Sequence, residues 1–323
     1  MLAFDENCDY EDWRSQVRER LTAALGDMPE LTDANIRIEW EEEHDTFKEY
    51  RILFCPEENV ELPCHLWIPK SITKPCPVVI CLQGHTTGMH ISMRRFLYEG
   101  DAEKALEGDR DFALQIVAEG YGALILEQRG FGERKSEREL LSAPDSIRTC
   151  THPSMVALLM GRTLMGERVW DISRAIDMLE AFPKIDGNRV AVMGNSAGGT
   201  AAYYAACMDE RIKIVMPSSS VCAYKRSITV KRHCICNYIP GIAKYVDMGD
   251  LACLIAPRKL VMVSGQEDSL FYFDGALDAY STIEKIYKKA GAAGNCRMVV
   301  GAGGHRFYAD LSWPVFRELS GWK

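Results

Sequence analysis

Short runs of apolar residues without polar alternation recur in the chain after residue 76. Six of them lie at residues 77–84, 121–128, 189–195, 211–217, 259–265 and 296–302. A strand that is covered on both faces has this pattern, because neither face meets water. The runs therefore predict a mostly parallel sheet.

Segments with helical periodicity separate these runs. The segment VWDISRAIDMLEAF places Val169, Ile172, Ile176 and Leu179 three or four residues apart. Further helices are predicted at DFALQIVAEGY, GTAAYYAACM, GALDAYSTIEKIYKKAG and residues 308–320. Strands that alternate with helices are typical of βαβ units, so we expect an α/β protein with a doubly wound sheet and helices on both of its faces.

The pattern differs at about residues 10–70. A helix is predicted over residues 11–25, where four apolar residues recur at every fourth position. The segments TFKEYRILFC and VELPCHLWIP then predict two antiparallel strands joined by the turn PEEN.

Two long connections interrupt the later alternation, at about residues 133–168 and 219–257. The second is far too long for a simple turn, so we expect it to form a cap. No internal repeat or low-complexity linker divides the chain, and we therefore expect residues 1–323 to form a single domain.

Composition narrows the function classes. The chain is 47% hydrophobic and 26% charged, which is globular composition, and its net charge of -8 argues against nucleic acid or an anionic membrane as a partner. The first residues, MLAFDENCDYEDW, lack the basic start and apolar run of a secretory signal, so we expect a cytoplasmic protein. The oligomeric state stays open, with a homo-oligomer among the alternatives.

The twelve cysteines are expected to be reduced thiols in such a protein. Cys234 and Cys236 have C-x-C spacing beside His233, but no second Cys/His pair at zinc-ligand spacing accompanies them. We therefore expect no metal site.

The five residues from Gly194 to Gly198, GNSAG, match the pattern G-x-S-x-G around Ser196. They join a predicted strand to a predicted helix, and a tight turn there lifts the serine hydroxyl out of the sheet at a helix N-terminus. Gly194 and Gly198 are small because the turn brings strand and helix together. The pattern predicts a nucleophile at Ser196 and an oxyanion donor at the backbone N–H of Ala197.

A general base is expected after the nucleophile in this fold class. Only His233 and His305 follow Ser196 in the sequence. His305 directly follows the last predicted strand, whereas His233 has no strand before it. We therefore predict His305 as the base.

The acid is expected in QEDSLFYFD, after the strand KLVMVSG. Glu267, Asp268 and Asp274 all lie there. Asp268 is favoured because a short side chain a few residues past the strand end can reach an imidazole. Asp274 is also explained as the N-cap of the next helix.

A second oxyanion donor is expected in the loop after the first parallel strand. That loop begins Gln83-Gly84-His85-Thr86, and we predict the backbone N–H of His85 as the donor. The imidazole of His85 is not assigned as a base.

Taken together, LQGHTTG, EQRGFGER, GNSAGG, DLACLIAPRKLVMVSGQED and GGH resemble the α/β-hydrolase superfamily. More narrowly, they resemble its dienelactone-hydrolase-like and acetyl-xylan-esterase-like serine esterases over about residues 45–320. The resemblance implies Ser196 as nucleophile, Asp268 as acid and His305 as base. It also implies oxyanion donors at Ala197 and His85.

The same resemblance implies that Gly84, Arg129 and Gly132 shape the site, although a structural salt bridge explains Arg129 equally well. True dienelactone hydrolases carry Cys where this chain has Ser196. The expected function is therefore a serine carboxylesterase for a small-molecule ester, such as an acetylated sugar, with an acyl-enzyme intermediate and no cofactor.

Two other functions remain open. A prolyl-oligopeptidase-like peptidase would share the fold, but such enzymes carry a large N-terminal propeller, for which the residues before 77 are too few. A catalytically silent α/β-hydrolase that binds a ligand is the other alternative, although silent relatives tend to lack one of the three residues.

The segment of residues 221–245 is basic within an acidic chain. It contains no Asp or Glu and five cations, at Lys225, Arg226, Lys231, Arg232 and Lys244. A solvated basic face explains them, and steering of an anionic ester towards Ser196 is the sharper hypothesis.

Overall fold

The computed structural model of the protein describes residues 2–322, and all nine strands in that range lie in one sheet. They are β1 Arg37–Glu43, β2 Phe47–Glu57, β3 Val60–Pro69, β4 Cys76–Leu82, β5 Gly122–Leu126, β6 Ile185–Asn195, β7 Ile212–Ser218, β8 Lys259–Gly265 and β9 Cys296–Gly301. The order is β1-β2-β3-β5-β4-β6-β7-β8-β9. Strands β4 to β9 pair in parallel and coincide with the six apolar runs, so the prediction of a mostly parallel sheet is confirmed.

The helices include all six that the sequence predicts. They are α1 Tyr10–Leu25, α2 Asp101–Leu106, α3 Phe112–Ala118, α4 Glu137–Ser142, α5 Thr151–Leu159, α6 Leu164–Met178, α7 Ala197–Met208, α8 Phe273–Lys289 and α9 Ala309–Ser320. The short helices α2, α4 and α5 were not predicted. Across residues 2–322, no helix has the length and apolar character that a membrane crossing requires.

Successive residues of the parallel strands bury opposite faces of the sheet. In β4, Val78 and Ile80 pack in one core with α1, α6, α7 and α8. Val79 and Cys81 pack in a second core with α3 and α9. Because side chains alternate along a strand, a run without polar residues fills both cores at once. The predicted placement of helices on both faces is confirmed.

Strand β1 was not predicted from the sequence, because neither of its faces is buried. Its sequence, RIEWEEE, is exposed along its whole length, and it pairs antiparallel with β2 at the edge of the sheet. Lys48 of β2 lies 2.9 Å from Glu41 of β1 in a surface ion pair. Charged side chains on an edge strand discourage pairing with another chain.

The predicted connection over residues 133–168 is partly helical. It holds α4 and α5, and α6 begins inside it at Leu164. Thr163 is the reason, because its hydroxyl accepts a 2.9 Å hydrogen bond from the backbone N–H of Gly166 and caps the helix.

The segment of residues 219–257, called the cap segment below, contains four short 3₁₀ turns. Part of it packs on α7, where the hydroxyl of Tyr204 lies 2.5 Å from that of Tyr224, and Tyr203 donates to the carbonyl of Met248 at 2.8 Å. This part belongs to the core. The stretch around residues 232–238 instead lines a cavity.

The strand order also locates the site. Strands β5 and β6 lie on opposite sides of β4, so the connections after β4 and β5 run in opposite directions. In open α/β sheets, ligands bind at the carboxyl ends of the strands where this reversal occurs. Here those ends carry Gly84 and His85 after β4 and Ser196 after β6.

Candidate active site

Ser196 occupies a strained turn between β6 and α7. Its φ of 57° and ψ of -124° lie in a region that residues other than glycine rarely adopt. The turn is held by two 2.9 Å hydrogen bonds, from the backbone N–H of Ser196 to the carbonyl of Ser218 and from that of Thr200 to the carbonyl of Ser196. Backbone strain of this kind costs about 1–3 kcal/mol and clusters at functional sites.

Close backbone contacts explain the glycines around this turn. A Cβ on Gly198 would lie 2.3 Å from the carbonyl oxygen of Leu82, and one on Gly194 would lie 2.5 Å from the carbonyl carbon of Gly198. A Cβ on Gly84 would lie 2.9 Å from the Cβ of Ser196. The loop after β4 is therefore packed directly against Ser196.

His305 and Asp268 form the hydrogen bond that the sequence predicts. Nδ1 of His305 lies 2.8 Å from Oδ2 of Asp268. The other oxygen, Oδ1, accepts hydrogen bonds from the backbone N–H groups of Leu270 at 2.8 Å and Phe271 at 3.0 Å. Burial alone would raise the pKa of Asp268, but the bond with His305 and these two N–H groups bring that pKa below its ordinary value. The carboxylate therefore stays ionised.

Ser218, at the end of β7, links the serine turn to the histidine loop. Its carbonyl accepts from the N–H of Ser196, and its hydroxyl donates to the carbonyl of Arg306 at 3.2 Å. The buried side chain of Arg110 donates to the carbonyl of His305 at 3.2 Å. Sequence reasoning missed both residues, because neither lies in a motif.

The other candidates for the base and the acid, His233, Glu267 and Asp274, do not take part in the hydrogen bond between His305 and Asp268. His233 packs edge-on against Phe271 at 4.8 Å between ring centroids, and Phe271 stacks on His305 at 6.0 Å. The side chains of Glu267 and Asp274 are exposed. The expectation that Asp274 caps α8 is wrong, because the helix begins at Phe273 and its N-cap is Tyr272. Asp274 instead stands in the first turn, where a carboxylate complements the helix dipole.

A cavity of about 670 Å³ adjoins the loop after β4. Its lining residues are His85, Ile147, Arg148, Thr151, Arg232, His233, Cys234, Ile235 and Tyr238. The lining holds two arginines and, among residues 2–322, no carboxylate. It brings the cap segment and the connection before α5 to the side of His85.

Arg129 belongs to a buried network of ion pairs and does not line this cavity. Its guanidinium contacts Glu57 at 2.6 Å and Asp171 at 2.8 Å. This geometry favours the salt-bridge explanation of the residue. Gly132, on the same loop, has a φ of 44° and closes over Glu127, whose pKa is raised to about 7 by burial.

Four metal-ligating side chains meet beside the cavity. His85 and Cys150 join Cys234 and Cys236 in space, although they do not form a pair at zinc-ligand spacing in the sequence. One ligand atom from each of the four residues lies within 4.8 Å of all the others. Sequence spacing could not reveal this Cys/His cluster, since its members come from three distant segments. A second group, Glu42, His44 and Glu49, is also close enough to hold an ion.

Comparisons with known proteins give the chain a family context. A family model described as an abhydrolase family matches residues 3–293. "Putative hydrolase YtaP" of Bacillus subtilis (strain 168) is 27% identical over 318 residues, which cover 96% of this chain and 99% of that protein.

Two solved structures share the fold at low sequence identity. A putative acetyl xylan esterase from Bacteroides fragilis NCTC 9343 has a TM-score of 0.80 at 17% identity, with 98% of this chain and 91% of that chain covered. A glucuronoyl esterase from Solibacter usitatus has a TM-score of 0.72 at 18% identity, with 99% and 96% covered. Both matches extend over nearly the whole sheet and its helices.

Proposed function

This chain belongs to the abhydrolase family and has the α/β-hydrolase fold, and from that premise we propose that it is a serine carboxylic-ester hydrolase. Ser196 is the nucleophile, His305 the general base and Asp268 the acid that orients the imidazole. The observation that carries the proposal is the 2.8 Å hydrogen bond between His305 Nδ1 and Asp268 Oδ2, on a loop tied through Ser218 to the strained turn of Ser196.

The reaction begins with attack of the Ser196 hydroxyl oxygen on the ester carbonyl carbon. Nε2 of His305 takes the serine proton and then gives it to the departing alcohol. Asp268 accepts the hydrogen bond from Nδ1–H, which fixes the tautomer and stabilises the imidazolium. A water molecule, activated by the same imidazole, then attacks the acyl-enzyme and releases the carboxylic acid.

The oxyanion that forms in both steps needs two donors. The backbone N–H groups of Ala197 and His85 fit this role. Ala197 is the first residue of α7, so its N–H has no partner within the helix. Neither N–H donates to another backbone group outside the regular elements in the part of the chain that the structure describes. The close contact of Gly84 with Ser196 brings the loop that carries the N–H of His85 against the serine turn.

Carbohydrate esters are the substrate class that we propose, with a cytoplasmic location and no cofactor for the hydrolysis itself. The two solved structures of similar fold are a putative acetyl xylan esterase and a glucuronoyl esterase, and both names refer to carbohydrate esters. The cavity of about 670 Å³ on the side of His85 has room for a sugar-sized group, and Ser196 and His305 are not among its lining residues. The twelve free cysteines fit a reducing compartment.

A fluorophosphonate probe tests the proposal directly. We expect it to label the purified protein once per chain, because an activated serine attacks phosphorus as it does an ester carbonyl. Peptide mass spectrometry should place the adduct on Ser196. A panel of acetyl, methyl and glucuronoyl esters then ranks the acyl and alcohol groups.

The heat-denatured protein is the control for nonspecific labelling. If the native protein resisted the probe, or if the adduct lay on a different serine, the chain would be better described as a silent member of the family.

The structure separates the cations of residues 221–245 into paired and unpaired ones, which makes the steering hypothesis more specific. Lys225 and Arg226 lie 3.8 and 2.8 Å from Asp278, so their charges are paired. Arg232 instead lines the cavity, together with Arg148, and neither forms an ion pair with another described residue. These two guanidiniums favour an ester that carries a carboxylate.

For an anionic ester, we therefore expect R148Q and R232Q each to lower kcat/KM by about 3- to 10-fold, and we expect added salt to lower the wild-type value. A neutral ester of the same size should show neither effect. R226Q, which removes a cation already paired with Asp278, is the matched control. Equal losses for both esters would refute the steering hypothesis.

A further inference from the structure

The Cys/His cluster joins three segments that are far apart in sequence. His85 lies in the loop after β4, Cys150 precedes α5, and Cys234 and Cys236 lie in the cap segment. Nε2 of His85 lies 3.5 Å from Sγ of Cys150 and 3.6 Å from Sγ of Cys236. With Cys234, one ligand atom from each residue lies within 4.8 Å of the others.

These separations match a tetrahedral metal site. With Zn–S bonds of about 2.3 Å and Zn–N bonds of about 2.0–2.1 Å, a nitrogen and a sulfur ligand at the tetrahedral angle lie about 3.5 Å apart. Three thiolates and one imidazole form one of the usual ligand sets of structural zinc. Hard cations such as Mg²⁺ and Ca²⁺ prefer oxygen ligands, so the donor set selects a soft or borderline ion.

Arg168 supplies an independent observation. Its side chain is fully buried, donates to the Sγ of Cys150 at 3.3 Å and to the carbonyl of Arg129 at 2.7 Å, and lies 4.3 Å from the ring centroid of Phe131. Its Nη1 has no hydrogen-bond partner, and no carboxylate within residues 2–322 lies at ion-pair distance from it. A buried cation without a counter-charge is costly.

We propose that His85, Cys150, Cys234 and Cys236 bind one Zn²⁺ in a closed, structural site. A zinc ion with three thiolates and one neutral imidazole carries a net charge of -1, which Arg168 balances. His85 and Cys234 also line the cavity, so an ion can enter from that side. Four protein ligands leave no position for water, and the metal therefore neither binds nor activates a reactant in ester hydrolysis.

The ion would fix the cap segment and the connection before α5 to the loop after β4. That loop carries the backbone N–H of His85, so metal binding also sets the second oxyanion donor. This last consequence rests on the proposed esterase function, whereas the metal site itself does not.

Metal analysis of the purified wild-type protein is the first test. We expect about one zinc ion per chain by elemental mass spectrometry, and the corresponding mass increment in native mass spectrometry. Single variants C150S and C236S should lose at least about 80% of this zinc. C8S, which alters a half-buried cysteine that is not part of the cluster, is the matched control and should keep all of it.

Measurements on the unaltered chain cover the case in which a variant fails to fold. Removal of the metal with a chelator should lower the melting temperature, and stoichiometric Zn²⁺ should restore it. Reconstitution with Co²⁺ should give the thiolate-to-cobalt charge-transfer absorption and the intense d–d bands of a tetrahedral site.

Three results would overturn the proposal. The first is wild-type protein that neither contains zinc nor binds Zn²⁺ or Co²⁺ after reduction. The second is full zinc content in C150S and C236S, which would place the ion elsewhere. The third is a disulfide within the cluster, seen as ten rather than twelve alkylated thiols in protein purified under reducing conditions. None depends on esterase activity, so failure here is distinguishable from failure of the fluorophosphonate test.

Discussion

Replacement of Ser196 by alanine should lower kcat for p-nitrophenyl acetate by at least about 10⁴-fold, because no other hydroxyl occupies the turn between β6 and α7. The variant should fold normally, since the serine hydroxyl makes no described hydrogen bond that holds the turn, which depends on backbone groups of Ser196, Ser218 and Thr200. Circular dichroism and thermal melting check the fold beside the kinetic assay.

Ser220 offers a matched control. It is a buried serine two residues past the end of β7, the strand beside β6, and its hydroxyl has no hydrogen-bond partner in the described part of the chain. We expect S220A to keep kcat within about 3-fold of the wild-type value. Retention of a tenth of the activity by S196A would show that the nucleophile lies elsewhere.

Replacement of Asp268 by asparagine should lower kcat by about 10⁴-fold, which is the effect of the corresponding change in a serine protease with a Ser-His-Asp triad. The amide can place an N–H opposite Nδ1 of His305, which favours the wrong imidazole tautomer. Stability should change little, because the amide oxygen can still accept from the N–H groups of Leu270 and Phe271.

The variants E267Q and D274N, which alter the two neighbouring acidic residues, are the controls for this change. Both side chains are exposed, and neither contacts His305. We expect kcat within about 2-fold of wild type for each variant. The free energy of unfolding of D274N should fall by no more than about 0.5 kcal/mol, which is the usual limit for a surface substitution. A collapse of kcat in D274N with full activity in D268N would assign the acid to Asp274.

Much of the fold could be predicted because the burial of a strand or helix determines a simple pattern of apolar residues in the sequence. The strands β4 to β9 fill two cores at once, so each appears as an uninterrupted apolar run. The order of these strands also brings together the loops that follow them, and this is why Asp268 and His305 could be paired from the sequence. Residues that hold the loops, such as Ser218 and Arg110, left no comparable pattern.

Features that depend on long-range contacts could not be predicted. His85 and Cys150 are 65 residues apart, and His85 and Cys236 are 151 apart, so no local spacing rule relates them. Strand β1 is exposed on both faces and therefore lacks the apolar signal of a strand. The start of α8 was misplaced because an Asp inside the first turn resembles an N-cap in sequence.

The positive φ of Ser196 has an implication for protein engineering. A glycine at that position would adopt the same backbone without strain and would remove the hydroxyl at the same time. A screen of variants for heat resistance alone would thus select glycine at position 196, which raises the melting temperature and abolishes hydrolysis. Any improvement of this protein by directed evolution has to score turnover in every round, because tolerance of temperature and function are opposed at this single residue.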